Sequence, residues 1–358
     1  MVTYKIIQFI QKHRINRLIV HGFKTSTHTH RYIHESIYNT FVYIASIFQH
    51  YQIEVFWCDD QYSTKYIYSP IIYNPLDNFL IFSTPHLETD IYLPLLDNAY
   101  YILHYRKYKV YSDIPITKYD NLLLTKRAVK YVDFRYSPDN IDYHPNNMEG
   151  VIEIDKTPFW FDTIENEANL AWATNLLPED IDINIEKIRA SEKPLFILQS
   201  YFCGSVWRVN NTEIECWKKI CESRNINCII EKQLDEQIHQ KNVMKSYLSI
   251  SIQGSDQRQS TNKYYIPCRI FKNISYGAIP ITNNIGVYNM LNGFRVIYDV
   301  EHDKLMEKSI ERYHEIQNNY QEYKDEQIRI MEFVRDHHTY LNRIYTCIQY
   351  GFSEIKEN

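Results

Sequence analysis

The sequence has few glycines and lacks the short motifs that mark several common enzyme classes. Only 8 of its 358 residues are glycine, and no two stand in the Gly-x-Gly spacing of the dinucleotide-binding fingerprint. The Gly-x-x-x-x-Gly-Lys-Ser/Thr loop, the His-Glu-x-x-His zinc motif, the Gly-x-Ser-x-Gly turn and the protein kinase signatures are absent as well. These absences argue first against a nicotinamide-dependent dehydrogenase and a P-loop kinase.

Long apolar runs and paired cysteines are also missing. No stretch approaches 18 apolar residues, so we expect no transmembrane helix, and the first residues lack the apolar core of a signal peptide. The seven cysteines are odd in number and contain no Cys-x-x-Cys pair, which favours reduced thiols in the cytoplasm over disulfides or a zinc site. The many Tyr, Ile and Asn residues are typical of AT-rich viral or microbial genomes, and a viral protein would lie in the host cytoplasm.

Length and charge set further bounds. A chain of 358 residues exceeds what one hydrophobic core usually supports, so two domains are expected. With 39 basic and 44 acidic residues the formal net charge is -5, which argues against nucleic acid as a partner.

The order of apolar runs predicts an α/β fold that begins with a βαβ unit. A short apolar run at residues 17–20 precedes a helix pattern at 31–49 and a second run at 53–57. Further strand candidates in this half lie at 79–83, 100–105 and 109–111.

A polar, charged segment at residues 178–193 indicates a domain boundary nearby. Beyond it the pattern predicts strands at 195–200, 228–231 and 246–253, a helix at 212–224, and helices over most of the last 50 residues. We therefore expect an N-terminal domain at 1–175, a second α/β domain at 176–335, and a last helix at 336–358 that packs back on the first domain. Ligands of such sheets bind at the carboxyl ends of the strands.

Two segments of the second half carry groups that suit a diphosphate. The loop GSVWR, from Gly204 and Ser205 to Arg208, follows a predicted strand, so it combines a flexible glycine, a helix N-terminus and an arginine. The alternative is an ordinary turn with a surface arginine.

The second segment, residues 264–284, reads YYIPCRIFKNISYGAIPITNN. Three residues, Ile266, Ile270 and Ile274, recur every four positions on one helix face. Arg269 and Lys272 lie on other faces. Gly277 is placed to end the helix, and Thr282 and Asn283 follow a short predicted strand. The alternative is a core helix with solvated Lys and Arg side chains.

These segments resemble the donor-binding domain of GT-B glycosyltransferases. The resemblance covers residues 195–343 through GSVWR, YIPCRIFKNISYGAIP and HTYLNR, and it extends more distantly to the T-even phage DNA glucosyltransferases. It implies two Rossmann-like domains that face each other across a central cleft. It also implies that Gly204, Ser205, Arg208 and Arg269 bind the donor diphosphate. Further donor-binding residues by the same resemblance are Lys272 near the phosphates and Thr282 and Asn283 near the phosphates or the sugar.

One departure from the family concerns the donor ribose. Many GT-B enzymes carry a glutamate on this helix for the ribose hydroxyls, whereas residues 264–284 contain no acid. Ribose recognition is therefore unassigned, and Lys272 is free to add charge at the phosphates. Two glutamates eight residues apart, the pattern of retaining enzymes, are also missing from residues 264–284, which favours inversion.

An inverting enzyme needs a general base in the acceptor domain. The favoured candidates are His21 and Asp60, because both follow predicted strands. Asp59, His86 and His104 are further candidates, and a strand-end aspartate is often a helix cap. The cluster His28, His30 and His34 fits a closed metal site poorly, so we expect solvated histidines and no metal.

The sequence thus predicts a metal-independent glycosyltransferase, hexosyl or pentosyl, that moves a sugar from a nucleotide donor to a hydroxyl of a glycan or glycoconjugate. A UDP- or GDP-sugar would be the co-substrate, with no further cofactor. A nucleic-acid base glucosyltransferase and an inactive GT-B scaffold with a binding or structural role are the alternatives.

Overall fold

A computed structural model of the chain describes twelve stretches of residues. They are 2–21, 31–48, 52–58, 74–83, 96–103, 128–133, 159–162, 167–204, 208–232, 236–253, 266–291 and 293–352. The strand candidate at 109–111 lies outside them.

The described residues form ten helices and twelve strands in a mixed α/β arrangement. The helices are α1 Val2–Lys12, α2 Arg31–Ile47, α3 Pro178–Arg189, α4 Arg208–Ser223, α5 Glu236–Lys245, α6 Cys268–Ser275, α7 Ile285–Met290, α8 His302–Asn318, α9 Tyr320–His337 and α10 Tyr340–Gly351. The strands are β1 Arg17–His21, β2 Glu54–Cys58, β3 Phe79–Ser83, β4 Ala99–Leu103, β5 Ala128–Asp133, β6 Phe159–Asp162, β7 Glu167–Leu170, β8 Ile197–Cys203, β9 Cys228–Glu231, β10 Ser246–Ser249, β11 Ile281–Thr282 and β12 Ile297–Tyr298.

Seven strands form the first sheet, in the order β2-β1-β3-β4-β5-β7-β6. Its strands pair in parallel except β6, which runs antiparallel to β7. Because β2 and β3 lie on opposite sides of β1, the sheet has a topological switch point between β1 and β3. The last residues of these strands, His21 and Ser83, are paired in register at that point.

The remaining strands are parallel and form two small sheets, β10-β8-β9 and β11-β12. Ser251, just after β10, forms an isolated bridge with Thr282 of β11, and its backbone N–H donates to Ile281 O at 2.9 Å. The carboxyl ends of all five strands therefore lie along one edge. Since β9 and β10 lie on opposite sides of β8, a second switch point lies between β8 and β10.

The last helix, α10, packs against the first sheet although it follows that sheet in sequence by some 170 residues. Its buried side chains, among them Leu341, Ile344 and Ile348, share one core with Ile10 of α1 and Leu18 of β1. We call α1, α2, β1–β7 and α10 the first unit, and α3–α9 with β8–β12 the second unit.

The polar segment at residues 178–193 forms α3. Three of its four isoleucines, Ile181, Ile185 and Ile188, recur near helical spacing and are buried in a core of the second unit shared with α6 and α9. No helix in the described part of the chain combines the length and apolar character needed to cross a bilayer.

Candidate functional site

The carboxyl end of β8 lies at the switch point of the second unit, and α6 brings an arginine to it. The Arg269 Nε–H donates to the Cys203 carbonyl oxygen, with an N···O distance of 2.9 Å. The guanidinium carbon lies 4.1 Å from the centroid of the Phe202 ring, within the range of an attractive cation–π contact. The helix thus holds a positive charge against the last two residues of the strand.

Gly204 permits this close approach. Its φ of +152° is a conformation that L-residues rarely adopt, and a Cβ at this position would overlap the guanidinium of Arg269. The Gly204 N–H donates to Glu231 O of β9 at 3.0 Å, which fixes the backbone there. The predicted donor residues Gly204 and Arg269 are therefore brought together.

Lys272, the second cation of α6, is paired with a carboxylate. Its Nζ lies 2.9 Å from Glu236 Oε2, and the same carboxylate accepts hydrogen bonds from the hydroxyl of Tyr276 and from Asn175 Nδ2. Burial alone would raise the pKa of Glu236, but the charge of Lys272 and these hydrogen bonds lower it overall. Glu236 therefore compensates part of the positive charge that Lys272 brings to this helix.

Glu236 was not predicted from the sequence to border the site. It belongs to α5, 36 positions before Lys272, and an acid in the first turn of a helix looks like ordinary compensation of the helix dipole. Only the contact between α5 and α6 shows that it borders the candidate site.

A buried histidine lies on the same helix as Glu236. His239 of α5 shares a hydrogen bond with the Tyr201 hydroxyl, 3.0 Å from its Nδ1. Burial, reinforced by the charge of Lys272, lowers the pKa of His239 to about 4. The imidazole is therefore neutral at pH 7 and adds no charge to the site.

Thr282 and Asn283 use their polar atoms to join strand ends. Thr282 Oγ1 donates to Ser251 O at 2.9 Å, while Asn283 pairs through both amide atoms with the backbone of Gln253, at 2.9 Å each. Asn284 then caps α7 with its side chain. All three side chains are buried, and a donor-binding role for Thr282 and Asn283 stays a prediction.

His21 lies at the switch point of the first sheet. Its side chain is buried, and its Nδ1 is 3.4 Å from the hydroxyl oxygen of Ser83 on the neighbouring strand. Burial lowers the pKa of His21 to about 4, so the imidazole is neutral at pH 7 and chemically able to accept a proton. The base role itself stays a prediction.

Several predicted residues fall outside the described part of the chain. Ser205, Asp59, Asp60, His86, His104, His28 and His30 are among them, while Arg208 begins α4. The expectation of a solvated His34 is wrong, because this side chain is fully buried on the apolar face of α2. It packs edge-on against Phe82 of β3. Within the described stretches, no three His, Cys, Asp or Glu side chains are grouped so as to hold a metal ion.

No protein-family model matches the chain, and no curated protein matches it significantly. Solved structures of an α-glucosyltransferase do resemble it. One in complex with UDP gives a TM-score of 0.53 at 12% identity and covers 95% of this chain and 100% of that chain. Another, with UDP and a 13-mer DNA containing a central A:G mismatch, gives 0.55 at 12% identity, covering 95% and 100%. A third, with UDP-glucose and DNA containing an abasic site, gives 0.53 at 12% identity, covering 95% and 99%.

The chain therefore has a GT-B glycosyltransferase-like fold and is distantly related in structure to these enzymes. The resemblance deduced from the two donor-site segments is confirmed. The division into two domains that face each other across a cleft stays a prediction.

Proposed function

We propose that the protein transfers a sugar from a nucleoside diphosphate sugar to a hydroxyl acceptor. UDP-sugars are the first donors to test. The observation that carries this proposal is the Arg269 guanidinium, held at the end of β8 beside Gly204. It places a cation at the switch point of a parallel sheet, in a chain with a GT-B-like fold. The UDP in the similar structures supports uridine as the first nucleotide to test.

The chemistry asks for a charge at this position. As the bond between the anomeric carbon and the diphosphate oxygen breaks, the leaving nucleoside diphosphate gains negative charge, which a fixed guanidinium stabilises. Arg269 would act from α6, and Arg208 with the first N–H groups of α4 would act from the loop that begins at Gly204 and Ser205. Lys272 would hold Glu236 beside the donor, and Thr282 and Asn283 would border the sugar. Metal-independent transfer is part of the proposal.

The acceptor hydroxyl must lose its proton as its oxygen attacks the anomeric carbon. His21 would take that proton, since its imidazole is neutral at pH 7 and lies at the carboxyl edge of the first sheet. Asp60 is the other candidate, and inversion at the anomeric carbon is proposed with this single-displacement chemistry.

Calorimetric titration with UDP tests the donor site. Arg269→Ala should weaken UDP binding about 10- to 100-fold, the loss expected for one or two charge-assisted hydrogen bonds of about 1.5–3 kcal/mol. Arg224→Ala is the matched control, because this exposed arginine pairs with Glu307 and is not part of the site. Equal UDP affinity in wild type and Arg269→Ala would remove Arg269 from the proposal. UDP binding by the wild type without transfer from any donor sugar would favour the inactive scaffold.

A nucleic-acid base is the second candidate acceptor. Two of the similar structures hold DNA together with UDP or UDP-glucose, so the net charge of -5 does not by itself exclude a nucleic-acid partner. Transfer of labelled glucose from UDP-glucose to duplex DNA with hydroxymethylated bases, compared with transfer to oligosaccharides, distinguishes the two acceptor classes.

A further inference from the structure

We infer that Arg343 is a positioning residue that fixes the second unit, and with it α6, relative to the first. The inference rests on the proposed function for its kinetic consequence only. Arg343 lies on α10, which packs in the core of the first unit, and its side chain is 1% exposed. It is part of the HTYLNR motif, to which the donor chemistry gives no role.

The chain passes between the two units twice in the described residues, and Arg343 binds both passages. At the first, after β7, its Nε donates to Ala171 O at 2.8 Å and its Nη2 to Trp172 O at 3.1 Å. At the second, where α9 ends, its Nη1 donates to His337 O at 2.9 Å. One planar guanidinium therefore holds the two connections in a fixed relation.

The two passages also contact each other directly. The Thr174 N–H donates to His338 O at 2.9 Å, and Thr174 forms an isolated parallel bridge with Thr339. Thr339 then caps α10 and accepts from the Asn342 N–H at 3.3 Å. The junction is thus a small hydrogen-bonded structure with Arg343 at its centre.

A ring stack links this junction to the helix that carries Arg269. His338 Nδ1 lies 3.1 Å from Arg343 Nη2, and the His338 ring stacks on Phe271 of α6 at 4.2 Å and 14°. Phe271 is two residues beyond Arg269 on the same short helix. A shift of the passages would therefore move α6 and the donor site relative to the first unit.

Geometry rather than ion pairing explains an arginine at this position. Among the described residues Arg343 bonds to carbonyl oxygens and to His338, and to no carboxylate. Burial lowers its pKa to about 10, so it stays cationic at pH 7, and the carboxyl end of α9 offsets part of that charge. A lysine would keep the charge but lose the planar set of five donors that reaches both passages.

The test is Arg343→Lys, with Arg335→Lys as the matched control. Arg335 is also an arginine near the end of α9, but its partners Asp182 and Asp336 both belong to the second unit. Spin labels would be introduced as unnatural amino acids at the exposed positions Gln11 and Glu222, one in each unit, so that the native cysteines stay untouched. We expect a broader distance distribution between the labels in Arg343→Lys than in the wild type or in Arg335→Lys.

The kinetic readout separates positioning from a general loss of structure. Arg343→Lys should bind UDP within about twofold of the wild type, because the donor residues all lie in the second unit, while kcat for sugar transfer falls at least about tenfold. An unchanged distance distribution would overturn the inference whatever the protein's activity, whereas absence of UDP binding in the wild type would overturn the proposed function alone. If Arg343→Lys does not fold, Phe271→Leu removes the stack on His338 and must broaden the same distribution.

Discussion

Gly204 is the position where a single added methyl group tests the candidate site most directly. Alanine there would be strained at a φ of +152°, and its Cβ would overlap the Arg269 guanidinium, which would have to move. We expect Gly204→Ala to weaken UDP binding about tenfold, because one charge-assisted hydrogen bond to the diphosphate would be lost. Titration calorimetry with UDP measures this change.

Gly293→Ala separates backbone strain from displacement of Arg269. Gly293 also has a positive φ, of +98°, but a Cβ on it would meet nothing within 4 Å. Both substitutions should lower the free energy of unfolding by about 1 kcal/mol or somewhat more. Only Gly204→Ala should change UDP affinity, and a similar affinity loss in both variants would show that strain alone is responsible.

Helix α6 shows which parts of the site can be predicted from local sequence. Its apolar face was predicted from the spacing of Ile266, Ile270 and Ile274, and all three are buried. The helix begins at Cys268, after Pro267, and Gly277 follows its end with a φ of +87°, as expected for a glycine that terminates a helix. Each of these features depends only on residues within one or two helical turns.

The contacts of α6 could not be predicted in the same way. The Glu236 carboxylate reaches Lys272 from another helix, and the side chains of Thr282 and Asn283 bind backbone atoms about 30 residues earlier in the chain. No periodicity records such pairings, because they depend on how the elements pack. The segment that forms α3 was interpreted as a domain boundary because it is polar. The burial of its three isoleucines could not be predicted for the same reason, since it depends on the packing of α9 against them.

Helix α10 should stabilise the first unit specifically. Ile344 is buried in the core that also contains residues of α1 and β1, so Ile344→Ala should lower the free energy of unfolding by about 2–4 kcal/mol. Hydrogen exchange should become faster in α1 and β1 than in α6, since that core belongs to the first unit. Gln349→Ala, at a partly exposed position of the same helix, should change stability by less than about 0.5 kcal/mol. Equal acceleration throughout the second unit would contradict this assignment.

Each of the two units has a switch point between parallel strands. Each switch point has one side chain with a role in the proposed transfer reaction. His21 ends β1 beside β3, and Arg269 is bound to the end of β8 beside β10. The strands at 17–20, 79–83 and 228–231 were predicted close to their observed bounds because short apolar runs mark buried strands. Strand order was not predictable, since it depends on which strands pair.

Burial of neutral histidines makes the stability of the whole protein depend on pH. The pKa values of His21 and His239 both fall to about 4, mainly through burial, whereas histidine in an unfolded chain has a pKa near 6.5. Below about pH 6.5 the unfolded chain binds protons that the folded protein does not. The contribution of these histidines to the free energy of unfolding is therefore fully present above that pH. It decreases as the pH falls toward 4, by about 1.4 kcal/mol per pH unit for each histidine.

Urea unfolding followed by circular dichroism between pH 7 and pH 5 measures this slope. That range lies above the usual pKa of a glutamate, so the lowered pKa of Glu236 contributes little there. His21→Gln and His239→Gln should each reduce the slope by about one histidine's share. His314→Gln, at an exposed position of α8, is the matched control. If neither His21→Gln nor His239→Gln reduced the slope, these side chains would gain protons in the folded protein as readily as in the unfolded chain. His21 would then be protonated too readily in acid to act there as the proposed base.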